Sequence, residues 1–318
     1  MGDIIRVGMI GCDTSHCGAF VRRFHDPKVP QAMRGLRVVA AYPSFSPDLK
    51  SSASRVDEYK KDLAENQGVK MVDSVEELID QVDAVLLESV DGRRHLAEFR
   101  PLVGAGKPVY IDKPFTASLA DAKEIVKLVK QHNVPCFSAS SLRFDSAFVE
   151  FLARGKKDKD KAKAEGDDKG ERKSVDVLGC DAYAPANLEP TNPGFFWYGI
   201  HGVEILYTLM GCGCQRVQCS STSDGDLAVG VWKDGRLGSM RGIRKGPHHY
   251  GAVVLHAKGY ECLPASGDFY NGLCLAIAKF FRTKQPPFPI EETLEICAFI
   301  DAAWRSSQQG GDDVALDL

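Results

Sequence analysis

The stretch "IIRVGMIGCDTSHCGAF", residues 4–20, joins an apolar run to a glycine loop and then to a mixed apolar and polar segment. The apolar run at 4–10 predicts a buried strand, and the loop begins at Gly11. A strand, a glycine turn and a helix in this order are typical of the first unit of a dinucleotide-binding domain. Asp13 and His16, however, occupy the places of the second and third glycines of the usual G-x-G-x-x-G loop. The sequence therefore predicts this unit with a variant phosphate loop.

Strand-like and amphipathic runs alternate through the first 115 residues and a little beyond. The predicted strands lie at 4–10, 37–42, 84–87 and 109–111, followed by a helix at 118–132 and a strand at 135–139. Such alternation is typical of βαβ units, which build a parallel sheet. We therefore predict an α/β fold with a Rossmann-like domain over residues 1–118.

The second half of the chain has a different pattern. Runs at 217–221, 227–232 and 238–243 indicate strands, and Asp-Gly between the last two is a strong hairpin signal; helices are predicted at 195–210, 269–282 and 290–307. This pattern predicts an α+β domain over 119–318 with a large, mostly antiparallel open sheet. Residues 156–173 carry eight basic and six acidic residues with almost nothing apolar, which predicts a charged surface insertion.

Composition excludes several classes of function. The 318 residues are 44% hydrophobic and 26% charged with a net charge of −3, which favours neither nucleic acid nor an anionic membrane as partner. No apolar run approaches the roughly 20 residues that cross a bilayer, and we expect a cytoplasmic protein without a secretion leader. The ten cysteines are scattered, and Cys212 and Cys214 are too close in sequence for the common zinc spacings, so reduced thiols and no metal site are predicted.

Several segments resemble the Gfo/Idh/MocA family, the glucose-fructose oxidoreductase and inositol dehydrogenase group. Residues 106–114, "GKPVYIDKP", resemble its A-G-K-x-V-x-x-E-K-P stretch, and residues 199–204, "GIHGVE", resemble its D-x-G-x-H-x-x-D helix. Residues 141–145 resemble its R-R-F strand end, and residues 286–311 resemble its closing helix with a Gly-Gly ending. The Asp-Thr-Ser-His loop is similar to that of a divergent branch of the family.

The resemblance implies an enzyme that uses NAD or NADP to oxidise or reduce a hydroxyl of a sugar, a cyclitol or a related polyol. It also implies a homodimer or homotetramer formed through the open sheet, with the active site between the two domains. The preference between NAD and NADP stays open. Tyr42-Pro43-Ser44 stands where an acidic residue normally holds the adenosine ribose, and no nearby Arg indicates NADP.

Two residues are the candidate catalytic groups. Lys113 follows a predicted parallel strand, where its ammonium can stabilise a developing alkoxide, whereas the alternative is an exposed lysine in a turn. His201 can move the hydroxyl proton near neutral pH, whereas the alternative is a histidine packed on an apolar helix face. The resemblance assigns these same roles. Trp197 replaces the family's usual Asp before this histidine, and Glu204 lies on the same predicted helix face and can assist.

The remaining candidate residues fall into two groups. The predicted cofactor-binding residues are Gly11, Asp13, Thr14, Ser15, His16, Ser44, Ser89, Asp91 and Lys113, and the predicted substrate-binding residues are Arg143, Trp197 and Glu204. The carboxylate of Asp13 would repel a pyrophosphate if it faced inward, or would cap the first helix if it pointed away. Arg143 suits an anionic or polyhydroxy substrate, and a structural salt bridge is its alternative.

Three functions remain open from the sequence. The first is an NAD(P)-dependent polyol oxidoreductase. The second is a glycosidase or epimerase that retains its nucleotide and oxidises the sugar only transiently. The third is a cofactor-free sugar-binding or regulatory protein, which the departures at Asp13, Tyr42 and Trp197 favour and the presence of Lys113 and His201 disfavours.

Overall fold

The protein is built around two sheets, seen in a computed structural model that describes residues 4–154, 176–267 and 269–318. The predicted surface insertion at 156–173 lies outside the described residues. Within them, no helix is long and apolar enough to cross a membrane.

The first sheet is wholly parallel and has the strand order β3-β2-β1-β4-β5-β6. Its strands are β1 (Ile5–Ile10), β2 (Leu36–Tyr42), β3 (Lys70–Met71), β4 (Ala84–Leu87), β5 (Val109–Ile111) and β6 (Cys136–Ser138). The helices that accompany it are α1 (Ser15–His25), α2 (Lys50–Ala53), α3 (Val56–Lys61), α4 (Val75–Gln81), α5 (Gly92–Phe99) and α6 (Leu119–His132). The Rossmann-like sheet is confirmed, and its last strand lies beyond the boundary placed at 118/119.

Local sequence explains where these helices begin. Ser74 and Ser118 are the N-caps of α4 and α6, and their hydroxyls accept hydrogen bonds from the backbone of Glu77 and Asp121. The central strand β4 is buried on both faces, as expected for a parallel strand covered by helices. The carboxyl ends of β1, β4 and β5 therefore meet at one edge of this sheet.

The second sheet has the order β12-β11-β7-β10-β9-β8-β13, and all neighbours are antiparallel except β7 and β10. Its strands are β7 (Val177–Pro185), β8 (Cys214–Ser221), β9 (Gly225–Trp232), β10 (Leu237–Ile243), β11 (Gly251–His256), β12 (Gly259–Pro264) and β13 (Val314–Ala315). The remaining α-helices are α7 (146–154), α8 (Ile200–Met210), α9 (Phe269–Thr283) and α10 (Ile290–Gln308). The predicted mostly antiparallel sheet is confirmed.

The helix predicted at 195–210 is wrong over its first five residues. A short 3-10 turn at Gly194–Phe196 ends at Trp197, whose backbone is not helical, and α8 begins only at Ile200. Gly199 lies so close to Phe195 that a Cβ there would be 2.3 Å from the phenylalanine ring. The chain therefore turns sharply before α8, and Trp197 does not share a helix face with His201.

Helix α9 returns from the second half of the chain to the first sheet. Its buried face, which includes Leu273, Ile277 and Phe280, joins one apolar core with Phe20 and Phe24 of α1. Residues from late in the sequence thus complete the core of the first domain. This arrangement also places the start of α9 beside the start of α1.

Candidate active site

A cavity of about 370 Å³ lies at the carboxyl edge of the first sheet. Residues from the second half of the chain complete its lining. Its lining consists of Thr14, Ser15, His16, Ser51, Arg55, Val90, Lys113, Ser141, Leu142, Asn187, Trp197, Tyr198, His201, Tyr250, Phe269 and Tyr270. Both predicted catalytic residues are in this set. The edge of an open parallel sheet is the usual position for a ligand in such folds.

Lys113 reaches the cavity because it follows β5 by two residues. Its ammonium group forms no ion pair or hydrogen bond with any side chain in the described ranges, although the carboxyl group of the preceding residue, Asp112, is nearby. A lysine in a structural salt bridge would have a partner. Lys113 is therefore available to a ligand in the cavity.

His201 lies in the first turn of α8 and is buried beside Lys113. Its Nδ1 is 2.6 Å from the Oγ of Ser140, and its ring makes edge-on contacts with the rings of Tyr198 and Tyr250. Burial, together with the positive charge of nearby Lys113, lowers the pKa of His201 well below its ordinary value. The imidazole is therefore neutral and able to accept a proton.

Arg143 and Glu204 are placed together but away from the cavity lining. The guanidinium of Arg143 pairs with Glu204 at 2.8 Å and also with Glu292, and it stacks over the ring of Phe288. The second oxygen of Glu204 accepts from the backbone N–H of Ser140, so this carboxylate does not contact His201. The structure therefore matches the salt-bridge alternative for Arg143, while Trp197 is the one predicted substrate residue that lines the cavity.

The glycine loop is closed by internal contacts. Gly11 has φ of +89°, and a Cβ there would lie 2.3 Å from the backbone nitrogen of Ser89. Asp13 is fully buried and accepts hydrogen bonds from the Oγ of Ser52 at 2.5 Å and from the N–H of Val90 at 2.9 Å. The carboxylate therefore points away from the cavity, but it does not cap α1. That cap is Thr14, which accepts from the N–H of His16.

Three further predicted cofactor residues belong to the same closed region. Ser44 and Ser89 both donate hydrogen bonds to the buried carboxylate of Glu98. Asp91 is fully buried, caps α5, and pairs with Arg93 at 2.6 Å. None of Ser44, Ser89 and Asp91 lines the cavity, so their polar atoms are used inside the protein.

Thr14, Ser15 and His16 do line the cavity, at the N-terminal end of α1. From the opposite wall come Ser51, whose Oγ is buried without a partner among the described residues, and Arg55, whose guanidinium forms no ion pair with them. A helix N-terminus, a hydroxyl and a guanidinium together suit a phosphate group. The residues present therefore fit the pyrophosphate of a dinucleotide, although two glycines of the usual loop are missing.

Sequence reasoning missed several cavity residues. Ser51 and Arg55 follow the second strand at a distance that gives no motif, and they come close only because α2 folds back over the loop. Tyr198, Tyr250 and Tyr270 come from three separate segments of the second half. Burial raises the pKa of Tyr250 and Tyr270 to about 12, so both phenols remain hydrogen-bond donors at neutral pH. Of these three tyrosines, Tyr198 is the one with a sequence signal, because it directly precedes the G-x-H segment.

The parallel sheet, the helix terminus and the cavity at the sheet's edge are the features of a dinucleotide-binding domain. Residues 5–140 match the model of GFO_IDH_MocA, described as an oxidoreductase family with an NAD-binding Rossmann fold. This match covers less than half of the chain, so it shows that the first half resembles the NAD-binding part of that family.

Two curated proteins match part of the chain. One is an uncharacterized oxidoreductase, YhhX, of Escherichia coli, which is 30% identical over 123 residues covering 37% of this chain and 32% of that one. The other is the uncharacterized protein YMR315W of Saccharomyces cerevisiae, 31% identical over 137 residues covering 41% of this chain and 34% of that one. The matched segment thus spans about a third of the length of either relative.

Solved structures match over almost the whole chain. Apo scyllo-inositol dehydrogenase from Lactobacillus casei is 15% identical with a TM-score of 0.75, over 99% of this chain and 98% of that one. The same enzyme with bound NAD(H) and scyllo-inositol is 16% identical with a TM-score of 0.73, over 99% of each chain. GenD2 from gentamicin A biosynthesis, in complex with NAD, is 14% identical with a TM-score of 0.76, over 100% of this chain and 98% of that one. At these identities the likeness concerns the fold.

Proposed function

We propose that this protein is an NAD(P)-dependent oxidoreductase that transfers hydride to or from a hydroxyl carbon of a polyol, cyclitol or sugar. The observation that carries the proposal is the convergence of unpaired Lys113 and neutral His201 on one cavity that also contains the N-terminal end of α1. A single cavity thus offers an anion-binding end and a proton-transfer end. The match of residues 5–140 to an NAD-binding oxidoreductase family supports the same activity.

We assign the cofactor-binding end to a subset of the predicted residues together with two new ones. The N-terminal end of α1, at Thr14, Ser15 and His16, would hold the pyrophosphate from one side, and Ser51 and Arg55 would hold it from the other. Gly11 serves this end indirectly, because only glycine allows the loop to pack against β4. The choice between NAD and NADP is part of the test.

Bound NAD(P) would supply the hydride acceptor or donor. The chain's own part is to handle the hydroxyl proton and the charge on oxygen. Lys113 donates a hydrogen bond to the substrate oxygen and stabilises negative charge as it develops there. His201 takes up the proton at Nε2 in the tautomer whose Nδ1–H donates to the Oγ of Ser140, 2.6 Å away. The lowered pKa of His201 keeps the imidazole neutral, which is the form that can accept a proton.

The cavity walls favour a polyhydroxy ring as substrate. Trp197 and Tyr198 offer aromatic faces that stack on the apolar side of a sugar or cyclitol, while Tyr250 and Tyr270 offer phenolic donors for its hydroxyls. A neighbour in fold binds scyllo-inositol, which belongs to this class of compound. We therefore infer a cyclitol or pyranose as the first class to screen.

The outer face of the second sheet supports a homo-oligomer. It combines apolar side chains with a few polar ones, among them Leu227, Val229, Tyr183, Arg241 and Val253, over a shallow depression. Self-association through this face would cover it. Light scattering of the purified protein measures the mass directly, and Val229→Glu on this face is expected to shift a dimer or tetramer toward monomer.

The first experiment titrates NADH and NADPH into the purified protein by fluorescence. It then screens NAD- and NADP-dependent oxidation of cyclitols and pyranoses by absorbance at the wavelength of the reduced cofactor. We expect micromolar binding of at least one cofactor, and turnover that Lys113→Met and His201→Gln abolish without loss of cofactor binding. Absence of binding to a folded protein at millimolar cofactor contradicts the proposal and favours the sugar-binding alternative. Substrate turnover without net change in cofactor absorbance favours the epimerase or glycosidase alternative.

A further inference from the structure

Three titratable side chains meet beneath the cavity at the carboxyl edge of the first sheet. Glu88 directly follows β4, Asp112 directly follows β5, and His16 lies in the first turn of α1. One possible ligand atom from each of the three lies within 4.8 Å of the others, and all three residues are buried. Because each residue sits next to the end of a regular element, the backbone holds the cluster in place.

Glu88 is the unexplained member of the cluster. It is 0% exposed, and neither of its carboxyl oxygens has a hydrogen-bond partner in the part of the chain that the structure describes. The other members are partly engaged: the Nδ1 of His16 is 2.7 Å from one oxygen of Asp112, and Tyr110 donates a hydrogen bond to the other oxygen at 3.1 Å. A buried carboxyl group without a hydrogen-bond donor is either protonated or has a cation as its partner.

The spacing within the cluster suits one shared ion. Oxygen and nitrogen ligands lie about 2.0–2.2 Å from a transition-metal ion, so two ligands of the same ion are at most about 4.4 Å apart. Glu88 has no hydrogen bond to either neighbour, yet one of its oxygens lies within 4.8 Å of both of their ligand atoms. Binding of one ion requires these three ligand atoms to rearrange so that each lies about 2.0–2.2 Å from it.

We propose that Glu88, Asp112 and His16 form a binding site for one divalent transition-metal ion of the Mn²⁺, Fe²⁺ or Zn²⁺ type. One imidazole nitrogen with two carboxylate oxygens is a donor set for these ions, whereas Ca²⁺ and Mg²⁺ prefer oxygen alone. The two carboxylates neutralise the charge of the dication. Since His16 also lines the cavity, the proposed metal site adjoins it.

The test measures metal binding rather than turnover, so its outcome is independent of the proposed function. The protein is stripped with a chelator and titrated with Mn²⁺, the probe that the exposed thiols of Cys212 and Cys262 bind least, with bound metal counted by electron paramagnetic resonance and elemental analysis. We expect one Mn²⁺ per chain and a rise in melting temperature. Glu88→Gln and Asp112→Asn are expected to weaken binding by about 100-fold or more.

The matched control is Glu295→Gln. Glu295 is also buried, but it accepts from the N–H groups of Gly213 and Cys214, far along the chain from the cluster. This variant should bind Mn²⁺ like the wild type. The proposal fails if the folded wild type binds no Mn²⁺ or Zn²⁺ at millimolar concentration, or if Glu88→Gln binds as well as the wild type. In that case Glu88 is neutralised by a proton and not by a metal ion, because burial raises the pKa of Glu88 well above its ordinary value.

Discussion

Two regions of the same sheet edge differ in how their polar groups are used. Around the glycine loop, Asp13, Ser44 and Asp91 are buried and each is bonded to other residues of the chain. In the cavity a few residues away, Lys113 and Arg55 have cationic groups without an ion pair in the described ranges. The edge thus divides into a closed side around the glycine loop, whose polar groups bond within the protein, and an open side at the cavity, whose polar groups are free for a ligand.

This difference teaches that a departure from a motif does not by itself remove its function. Asp13 replaces a glycine, yet its negative charge is directed at Ser52 and Val90 and away from the end of α1. The closed side and the open side can therefore be tested separately. Substitutions on the open side should change catalytic activity or cofactor binding, and substitutions on the closed side should change the free energy of unfolding.

The largest expected effect is on the open side. Lys113→Met should lower kcat for polyol oxidation about a thousandfold, because it removes the donor that stabilises charge on the reacting oxygen. The melting temperature should stay within a degree or two of the wild type, since no ion pair is lost. Steady-state kinetics and thermal melts measure both. Lys127→Met, which removes an exposed lysine on α6, is the control; a similar loss of activity there would break the comparison.

On the closed side, Asp13→Ala should lower the free energy of unfolding by about 3 kcal/mol. The substitution leaves the Ser52 hydroxyl and the Val90 N–H buried without an acceptor. Urea unfolding at pH 7 gives the value, and Asp57→Ala at an exposed position of α3 should change it by less than about 0.5 kcal/mol. A stable Asp13→Ala protein that loses only cofactor affinity would show that this residue belongs to the open side.

A pH dependence should come from Asp91. Burial opposes its ionisation, but the hydrogen bonds from Arg93 and Ser46 outweigh this and lower the pKa of Asp91 to about 2. A depressed acid pKa stabilises the folded state above the unfolded value near 4, and this contribution disappears as the pH falls toward 2. The stability advantage of the wild type over Asp91→Asn should therefore shrink by about 2 kcal/mol between pH 4 and pH 2. A constant difference across that range would mean that Asp91 is not ionised in the folded protein.

The smallest effect is expected at the rim of the open side. Arg55→Gln should raise the Kd for NADH about tenfold, because a charge-assisted contact to phosphate is lost, and the difference should narrow at high salt. Fluorescence titration at two salt concentrations measures this. Arg100→Gln, an exposed arginine paired with Glu124, is the control. Equal affinities for Arg55→Gln and wild type would place the pyrophosphate elsewhere.

The sequence predicted what depends on local patterns. The strand, turn and helix at 4–20 and the strand before Lys113 were predictable, because periodicity and a glycine turn are short-range signals. The strands β7, β11 and β12 were not, since runs without a clear alternation of apolar and polar residues carry a weak signal. The places of Asp13, Arg55 and Glu88 in the site depend on contacts between segments far apart in the chain, which no spacing rule contains.

Helix α9 has a consequence for synthesis on the ribosome. The apolar face of α1, with Phe20 and Phe24, is covered by α9, which ends at residue 283 of the chain. A nascent chain that has released only the Rossmann-like segment therefore exposes this face until residues 269–283 have also been made. During that interval the first domain lacks part of its core, and the exposed apolar face is a surface to which a chaperone can bind.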